Sequence, residues 1–405
     1  MKIIHFSDSH VDFSANSRPI DLATGMPGRV LDVLDMMDSI VEFAEDEDVD
    51  LIIFAGDAFH RYNPNPVYVN EFARRIKRMT KQAPTVLLVG NHDMSPMSSS
   101  LEIYDSLQIP GVILGNNYEV HIVQTKSGKV QVATAPYPSK RLLAGKKLKK
   151  DAKPWDVVKS IYQHKLKRLG DHIDDSWPSV LVAHLAVQGC HYGDERNHTL
   201  IENVEAPLDV IADPVWDYVA LGHIHGYQVL NDNPPVVYSG SIDRVSFGEE
   251  NETKGFVYAE IEPGKAHYEF VALDARPYKT IRVKTASKTI TEKVLSKIAS
   301  TDLKGAMVRV MLEIRNDYRV LVDRAEILRA LDDSGAYFVQ DIVISAIPED
   351  RIVETRSSNY HSQMTPMELL EEYMTDVQSL EDKEMKEVMK LGKEIINESE
   401  GEYVK

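Results

Sequence analysis

Five apolar segments of this chain each run straight into residues able to bind a metal ion, and that repetition constrains the fold more than any other feature. IIHFSDSH reaches Asp8 and His10, LIIFAGD reaches Asp57, and VLLVGNHD reaches Asn91, His92 and Asp93. VLVAHL reaches His184, and YVALGHIH reaches His223 and His225. Short apolar runs of this kind read as buried strands. In an open α/β sheet, ligands collect beyond the carboxyl ends of the strands, so the loops should converge on one edge. Glycines 56, 90 and 222 stand immediately before candidate ligands, where a missing Cβ permits sharp turns and close backbone approach. A single histidine after a strand is more often structural than a ligand. Five strands ending this way in one chain are not accounted for so simply.

The donor types, carboxylates, an amide and imidazoles, suit divalent ions of intermediate hardness such as Mn²⁺, Fe²⁺ or Zn²⁺. Asp8, His10, Asp57, Asn91, His184, His223 and His225 exceed what one tetrahedral ion takes, which implies two ions sharing a bridging carboxylate. Such a pair makes hydroxide at neutral pH and clamps a phosphate, so the chemistry read here is metal-assisted phosphoester hydrolysis. Neither the G-x-x-x-x-G-K-[ST] phosphate cradle nor a G-x-S-x-G elbow occurs, which argues against ATP hydrolysis by this chain and against serine catalysis.

Around these loops, the first 275 of 405 residues alternate short strands with amphipathic helices, an α/β pattern. Helices are expected at 29–45, 67–82, 97–107 and 155–170. The later strands, 236–239, 255–262 and 266–272, lack intervening helices, which predicts antiparallel pairing in a second sheet. A β-α-β-α-β unit follows at 280–346 and a polar linker at 347–363. Thr365-Pro366-Met367-Glu368 then opens a capping box, so two acidic, methionine-rich helices are expected within 364–398. Their apolar residues Leu370, Tyr373, Met374, Met385, Val388 and Met389 suit either packing on the body or docking on a partner. The single cysteine, Cys190, excludes an internal disulfide, and no apolar run approaches the roughly 20 residues of a membrane span. With the N-terminus reading directly into a strand, a cytoplasmic protein is expected.

The order Asp8-x-His10, Gly56-Asp57, Gly90-Asn91-His92-Asp93, His184, Gly222-His223-x-His225 resembles the calcineurin-like metallophosphoesterase superfamily. The resemblance implies a two-sheet α/β sandwich over 1–275. Within the superfamily the chain is similar to the SbcD-type nuclease subunit of the DNA double-strand-break repair complex. His60 three residues after Asp57, the stretch YSGSIDRVSFGEE (238–250), the small 280–346 unit and the helical tail carry that narrower likeness. It implies a DNA exonuclease/endonuclease with two ions, most often Mn²⁺. Asp8, His10, Asp57 and His225 would hold one ion, and Asp57, Asn91, His184 and His223 the other. His92 would be the non-ligand that stabilises the transition state or protonates the leaving oxygen, Asp93 would orient it, and His60 would contact the substrate phosphate or position the DNA end. The unit at 280–346 would cap DNA. The tail 364–398 would bind a coiled-coil ABC-type ATPase, and the expected location is the nucleoid.

The same resemblance implies a homodimer through helices 67–80 and 97–107, with Val67, Tyr68, Phe72, Ile76, Leu101, Ile103, Tyr104 and Leu107 available; a plain core role explains these residues equally well. DNA, as double-stranded ends or single strands, needs cations near the site. The net charge of −17 opposes this, yet residues 139–153 hold seven Lys/Arg against one Asp. Lys140, Arg141, Lys146, Lys147, Lys149 and Lys150 are therefore the candidate phosphate contacts. Two other classes remain open: a stand-alone phosphodiesterase or phosphatase on small substrates, and a non-catalytic scaffold tethering DNA ends. The intact ligand set argues against the scaffold.

Overall fold

A computed structural model describes residues 1–13, 19–95, 98–146, 152–193, 205–347 and 389–393. The chain divides into Met1–Ile347 and Pro348–Lys405. In the second unit the described residues 389–393 form a short helical stretch that includes Met389. The other candidate docking residues, Leu370, Tyr373, Met374, Met385 and Val388, lie outside the described residues, as do Lys147, Lys149 and Lys150.

The first unit is built around a two-sheet α/β sandwich. Strands β1 (Lys2–Phe6), β2 (Leu51–Phe54), β3 (Thr85–Leu88) and β4 (Val112–Gly115) run parallel in one sheet. The second contains β5 (Glu119–Thr125), β6 (Gly128–Ala135), β7 (Ser179–His184), β10 (Tyr218–Gly222), β11 (Gln228–Asp232) and β12 (Pro235–Tyr238). A two-stranded ribbon, β8 (Ala186–Val187) with β9 (Glu205–Ala206), stands apart. Strand periodicity explains the layering, because successive side chains face opposite ways. In β1, Ile3 joins the core between the sheets, while Ile4 and Phe6 join the core beneath the helices. Helices α1 (Gly28–Asp46) and α2 (Pro66–Gln82) pack on the first sheet, and α4 (Pro154–Gly170) packs on the second. Asn65 caps α2 by accepting from the Val67 N–H at 2.9 Å, with Pro66 at the first helical position.

Two expectations change. The helix expected at 97–107 is only α3 (Glu102–Ser106). Serines before it take the backbone into turns instead: Ser95 Oγ accepts from the Ser98 N–H, and the Ser100 N–H donates to Asp93 O, both at 2.9 Å. The late strands also do not form a sheet of their own. β12 runs parallel to β10 inside the second sheet. β13 (Gly255–Glu262) and β14 (Lys265–Ala272) form a hairpin that extends the first sheet, with β13 antiparallel to β1. Hairpin periodicity reveals pairing between neighbours in sequence but not which distant edge the hairpin joins.

A third, parallel sheet holds β15 (Tyr278–Thr285), β16 (Met307–Ile314) and β17 (Phe338–Ala346), covered by helices Ile290–Ala299 and Arg324–Asp333 around its own core. A turn at Phe247–Glu250 fastens it to the sandwich. The Phe247 ring lies 4.7 Å from that of Tyr278 and 4.6 Å from the Arg309 guanidinium, and Glu250 accepts from Thr280 and Arg282. Among the described residues no helix is long and apolar enough to cross a membrane.

Candidate metal centre

The carboxyl ends of β1, β2, β3, β7 and β10 do converge, bringing all seven candidate ligands together. Asp57 Oδ2 lies 3.3 Å from His184 Nε2 and 3.7 Å from His10 Nε2, between the two ligand groups. On one side, His10 Nε2 is 3.2 Å from His225 Nε2 and 4.0 Å from Asp8 Oδ1. On the other, Asn91 Oδ1 is 3.0 Å from both His184 Nε2 and His223 Nδ1. Asp8, His10 and His225 form one cluster with metal-binding spacing, and Asp8, Asp57 and His184 another.

Second partners fix the imidazole tautomers. His184 Nδ1 donates to Ala55 O at 2.7 Å, and His225 Nδ1 donates to Glu249 Oε1 at 3.0 Å. Each leaves Nε2 as a lone pair aimed into the centre. Lone pairs and carboxylate oxygens crowded this closely repel one another unless cations lie between them. The residues therefore fit divalent ions, and Asp57, whose Oδ2 lies between His184 and His10, would be the carboxylate shared by two of them.

Local backbone geometry supports that fit. Asp8, His10, Asp57 and His223 have positive φ of 53°, 40°, 59° and 95°, a conformation costing non-glycine residues roughly 1–3 kcal/mol each. Glycine is required beside them: a Cβ on Gly90 would fall 2.1 Å from Asp57 Oδ1, and Gly56 itself has φ +102°. Burial raises the Asp8 carboxyl above the usual range. At Asp57 burial acts the same way, but His184 and its neighbouring imidazoles outweigh it and hold the group well below that range. With no ion bound, burial lowers His184 as well, but the Asp57 charge more than offsets it and lifts the ring to about 9, so a proton takes up the Nε2 lone pair that an ion would otherwise hold.

His92 stands beside this set. Its backbone N–H donates to Asp57 Oδ1 at 2.9 Å, and its Nδ1 donates to the His60 carbonyl at 2.8 Å. Its ring stacks on His60 with centroids 4.9 Å apart. His60, His92 and His10 also bring one nitrogen each within 4.8 Å of the others. An open pocket lined by His60, Arg61, Tyr62, Asn63, Asn91 and His92 lies over them. Asp93 does not orient the His92 ring as the sequence leads one to expect. Its buried carboxylate accepts from the N–H groups of Asp57, Ala58, Phe59 and Gly90 at 3.0–3.3 Å, so it holds the ligand loop, and His60 holds the ring. Burial and the Asp57 charge push Asp93 up to about 7.

Sequence reasoning gives no role to Glu249. Its carboxylate joins His225 to buried Lys254, whose Nζ is 2.7 Å away, and Lys254 also donates to the His225 carbonyl. The signal was present, since Glu249 falls inside the 238–250 stretch. Of the basic candidates, Arg141 is 3.9 Å from Glu102, whereas Lys140 lies over the Trp155 ring at 5.0 Å, which positions its charge without neutralising it. The apolar residues of α2 and α3 divide. Tyr68, Phe72, Ile76, Leu101 and Tyr104 are core, whereas Val67, Ile103 and Leu107 are exposed.

Residues 1–227 match the family model described as calcineurin-like phosphoesterase, more than half of the chain and the whole of this donor set. The chain belongs to that family. As a calcineurin-like phosphoesterase it is similar to several solved structures. The protein TT1561 of Thermus thermophilus is 15% identical, with 66% of this chain and 98% of that one covered and a TM-score of 0.39. A dimetal phosphatase from Danio rerio is 12% identical over 67% and 96%, with a TM-score of 0.40. The purple acid phosphatase PPD1 of yellow lupin is 12% identical over 67% and 51%, with a TM-score of 0.38. The family assignment stands on the family match and the donor set.

Proposed function

We propose that this calcineurin-like phosphoesterase is a Mn²⁺-dependent DNA exonuclease/endonuclease acting at double-strand ends with a coiled-coil ABC-type ATPase. The observation carrying the reading is the His60–His92 stack over the metal centre. His60 is surplus to the ligands of two ions, its carbonyl fixes the His92 tautomer, and its ring borders the open pocket. The Glu249–His225 contact and the Phe247–Glu250 fastening of the third sheet support it, because they join the nuclease-like stretch 238–250 to a unit suited to capping a polymer.

When bound, two divalent ions supply Lewis-acid polarisation of the phosphodiester and a nucleophile at neutral pH. Asp57 and Asn91 set the spacing of the two ligand groups, and Glu249 orients His225. With Nδ1–H committed to the His60 carbonyl, Nε2 of His92 is the nitrogen that faces the leaving oxygen, and in the imidazolium form its proton passes to that oxygen, leaving the neutral ring with Nδ1–H still on the carbonyl. His60, in the same stack, holds the phosphate. We also assign a homodimer formed through exposed Val67, Ile103 and Leu107, a nucleoid-associated cytoplasmic location, and ATPase docking by the tail 364–398.

Purified protein with Mn²⁺ is to be given linear duplex DNA, single-stranded DNA and a chromogenic phosphodiester. Cleavage of both DNAs is expected. Hydrolysis of the small ester alone, even with the ATPase present, rejects the nuclease reading in favour of a small-substrate phosphodiesterase. His92→Ala should lower DNA cleavage by about 10²–10⁴-fold. His60→Ser should lower it less and mainly through KM, and unaltered activity would reject its substrate role.

A further inference from the structure

We infer that a cationic cleft beside α4 binds the phosphate backbone of duplex nucleic acid as it leaves the metal centre; this rests on the nuclease reading above and joins Lys146 of the 139–153 stretch to Lys165 and Arg168 of α4. The cleft is lined by Tyr118, Lys146, His164, Lys165, Arg168 and His172. Among the described residues no carboxylate lies within ion-pair distance of the three permanent cations, Lys146, Lys165 and Arg168. Lys165 Nζ rests over the Tyr118 ring at 5.1 Å, which positions it without neutralising it. Glu119 is the one acidic residue in the lining, and its carboxylate is already 3.7 Å from His121. On a chain of net charge −17, three cations on one wall with no ion-pair partner among the described residues form a local positive patch, and its counterpart is a polyanion.

Topology sets the cleft at the right edge. β5 runs antiparallel to β6 with Glu119 opposite Thr134, and β6 runs parallel to β7 with Thr134 opposite Val182, two residues before His184. Tyr118 thus starts β5 at the edge where β7 delivers its ligand. Two strand spacings, about 10 Å, separate them, roughly three phosphate steps of one DNA strand. The Tyr118 hydroxyl donates to Pro136 O at 2.9 Å, and the next residue, Tyr137, has its ring 5.6 Å from that of His223. Pro136–Tyr137 therefore forms a continuous wall from the centre to the cleft. Two of the cations sit in the second half of α4, which crosses back from the carboxyl end of β6 to the start of β7, so Lys165 and Arg168, one turn apart and on one side, continue the path from Tyr118 away from the centre.

The test measures binding of a short labelled duplex to the full chain, without divalent metal, across about 50–200 mM salt. Lys146→Ala/Lys165→Ala/Arg168→Ala should reduce the steepness of log K against log salt by nearly 3, about 0.9 for each lost contact, with the melting temperature unchanged. Lys165→Ala and Arg168→Ala singly should each remove about 0.9. The exposed pair Lys77→Ala/Lys81→Ala on α2 is the charge control. An unchanged slope in the triple variant, an equal loss per charge in the control, or no duplex binding by the parent chain overturns the inference. Inorganic phosphate raising the melting temperature of the parent but not the triple variant, with no slope change on duplex, makes it a small-anion site and also overturns it. Cleavage is not read, so duplex binding through this cleft without Mn²⁺-dependent cleavage keeps the cleft and rejects the nuclease.

Discussion

At the scale of single residues, the metal centre depends on side chains one step behind the ligands. Glu249 both accepts from His225 Nδ1 and faces Lys254 in a buried setting. Burial opposes its charge, but the His225 hydrogen bond and Lys254 outweigh burial and hold the carboxyl down to about 2. Glu249→Gln keeps the shape and loses the charge, so Mn²⁺ affinity should fall about 10–100-fold by titration calorimetry, with less effect on folding because Glu252 still pairs Lys254. His5 behaves differently. Its ring lies between the two sheets, near the Tyr218 hydroxyl at 3.0 Å and Leu221 O at 3.2 Å. Burial pushes it down to about 3 from an ordinary 6.5, the Leu221 bond opposing only in part. Between those values the unfolded chain takes up a proton that the folded chain refuses, so stability falls as pH drops from about 6.5 towards 3. His5→Gln should flatten that limb of the urea midpoint against pH; an unchanged slope would show that His5 is not buried neutral. The ligands themselves were legible because each ends an apolar run. Glu249 stood inside a recognisable stretch, 238–250, but its role was not readable there, since its partner is 24 residues away and only the folded loop joins them.

At the scale of elements, α2 and α3 each show two faces, and the sequence alone could not assign them. An apolar stripe reveals that a face is buried but not whether sheet or partner covers it. Phe72 sits in the core against Phe54, Phe59 and Tyr104, so Phe72→Ala should cost about 3–5 kcal/mol in denaturant unfolding. Leu107, 66% exposed, should change stability by less than about 0.5 kcal/mol when made Glu. If the proposed dimer forms there, Leu107→Glu should convert it to monomer in sedimentation velocity, whereas an unchanged dimer would move the interface elsewhere. The hairpin β13–β14 makes the same point for strands: its alternation was readable, but its attachment to β1 depends on an edge created more than 250 residues earlier in the chain.

At the scale of the molecule, the two sheets serve as a clamp that keeps strained ligand loops in place. β1, β2 and β3 bring Asp8, His10, Asp57 and Asn91 from one sheet, and β7 and β10 bring His184, His223 and His225 from the other. The loops cross-brace: the His223 N–H donates to Asp8 Oδ2 at 3.0 Å, and His184 donates to Ala55 O. Opening the sandwich would therefore scatter the centre, and by linkage, filling the centre must oppose opening. Each ion binding only the folded chain adds RT ln(1 + [L]/Kd), about 2.7 kcal/mol at one hundred times Kd. Mn²⁺ should accordingly raise the melting temperature of the first unit, and excess chelator should reverse the gain. Asp57→Asn removes the bridging charge, relieves none of the strain and leaves the imidazoles and Asp8 in place, so it should lose most of the Mn²⁺-dependent shift. A full shift in that variant would mean that the ions sit elsewhere. A Mn²⁺ shift that vanishes in Asp57→Asn but not in Leu107→Glu would place the linkage in the clamp between the sheets and not in assembly.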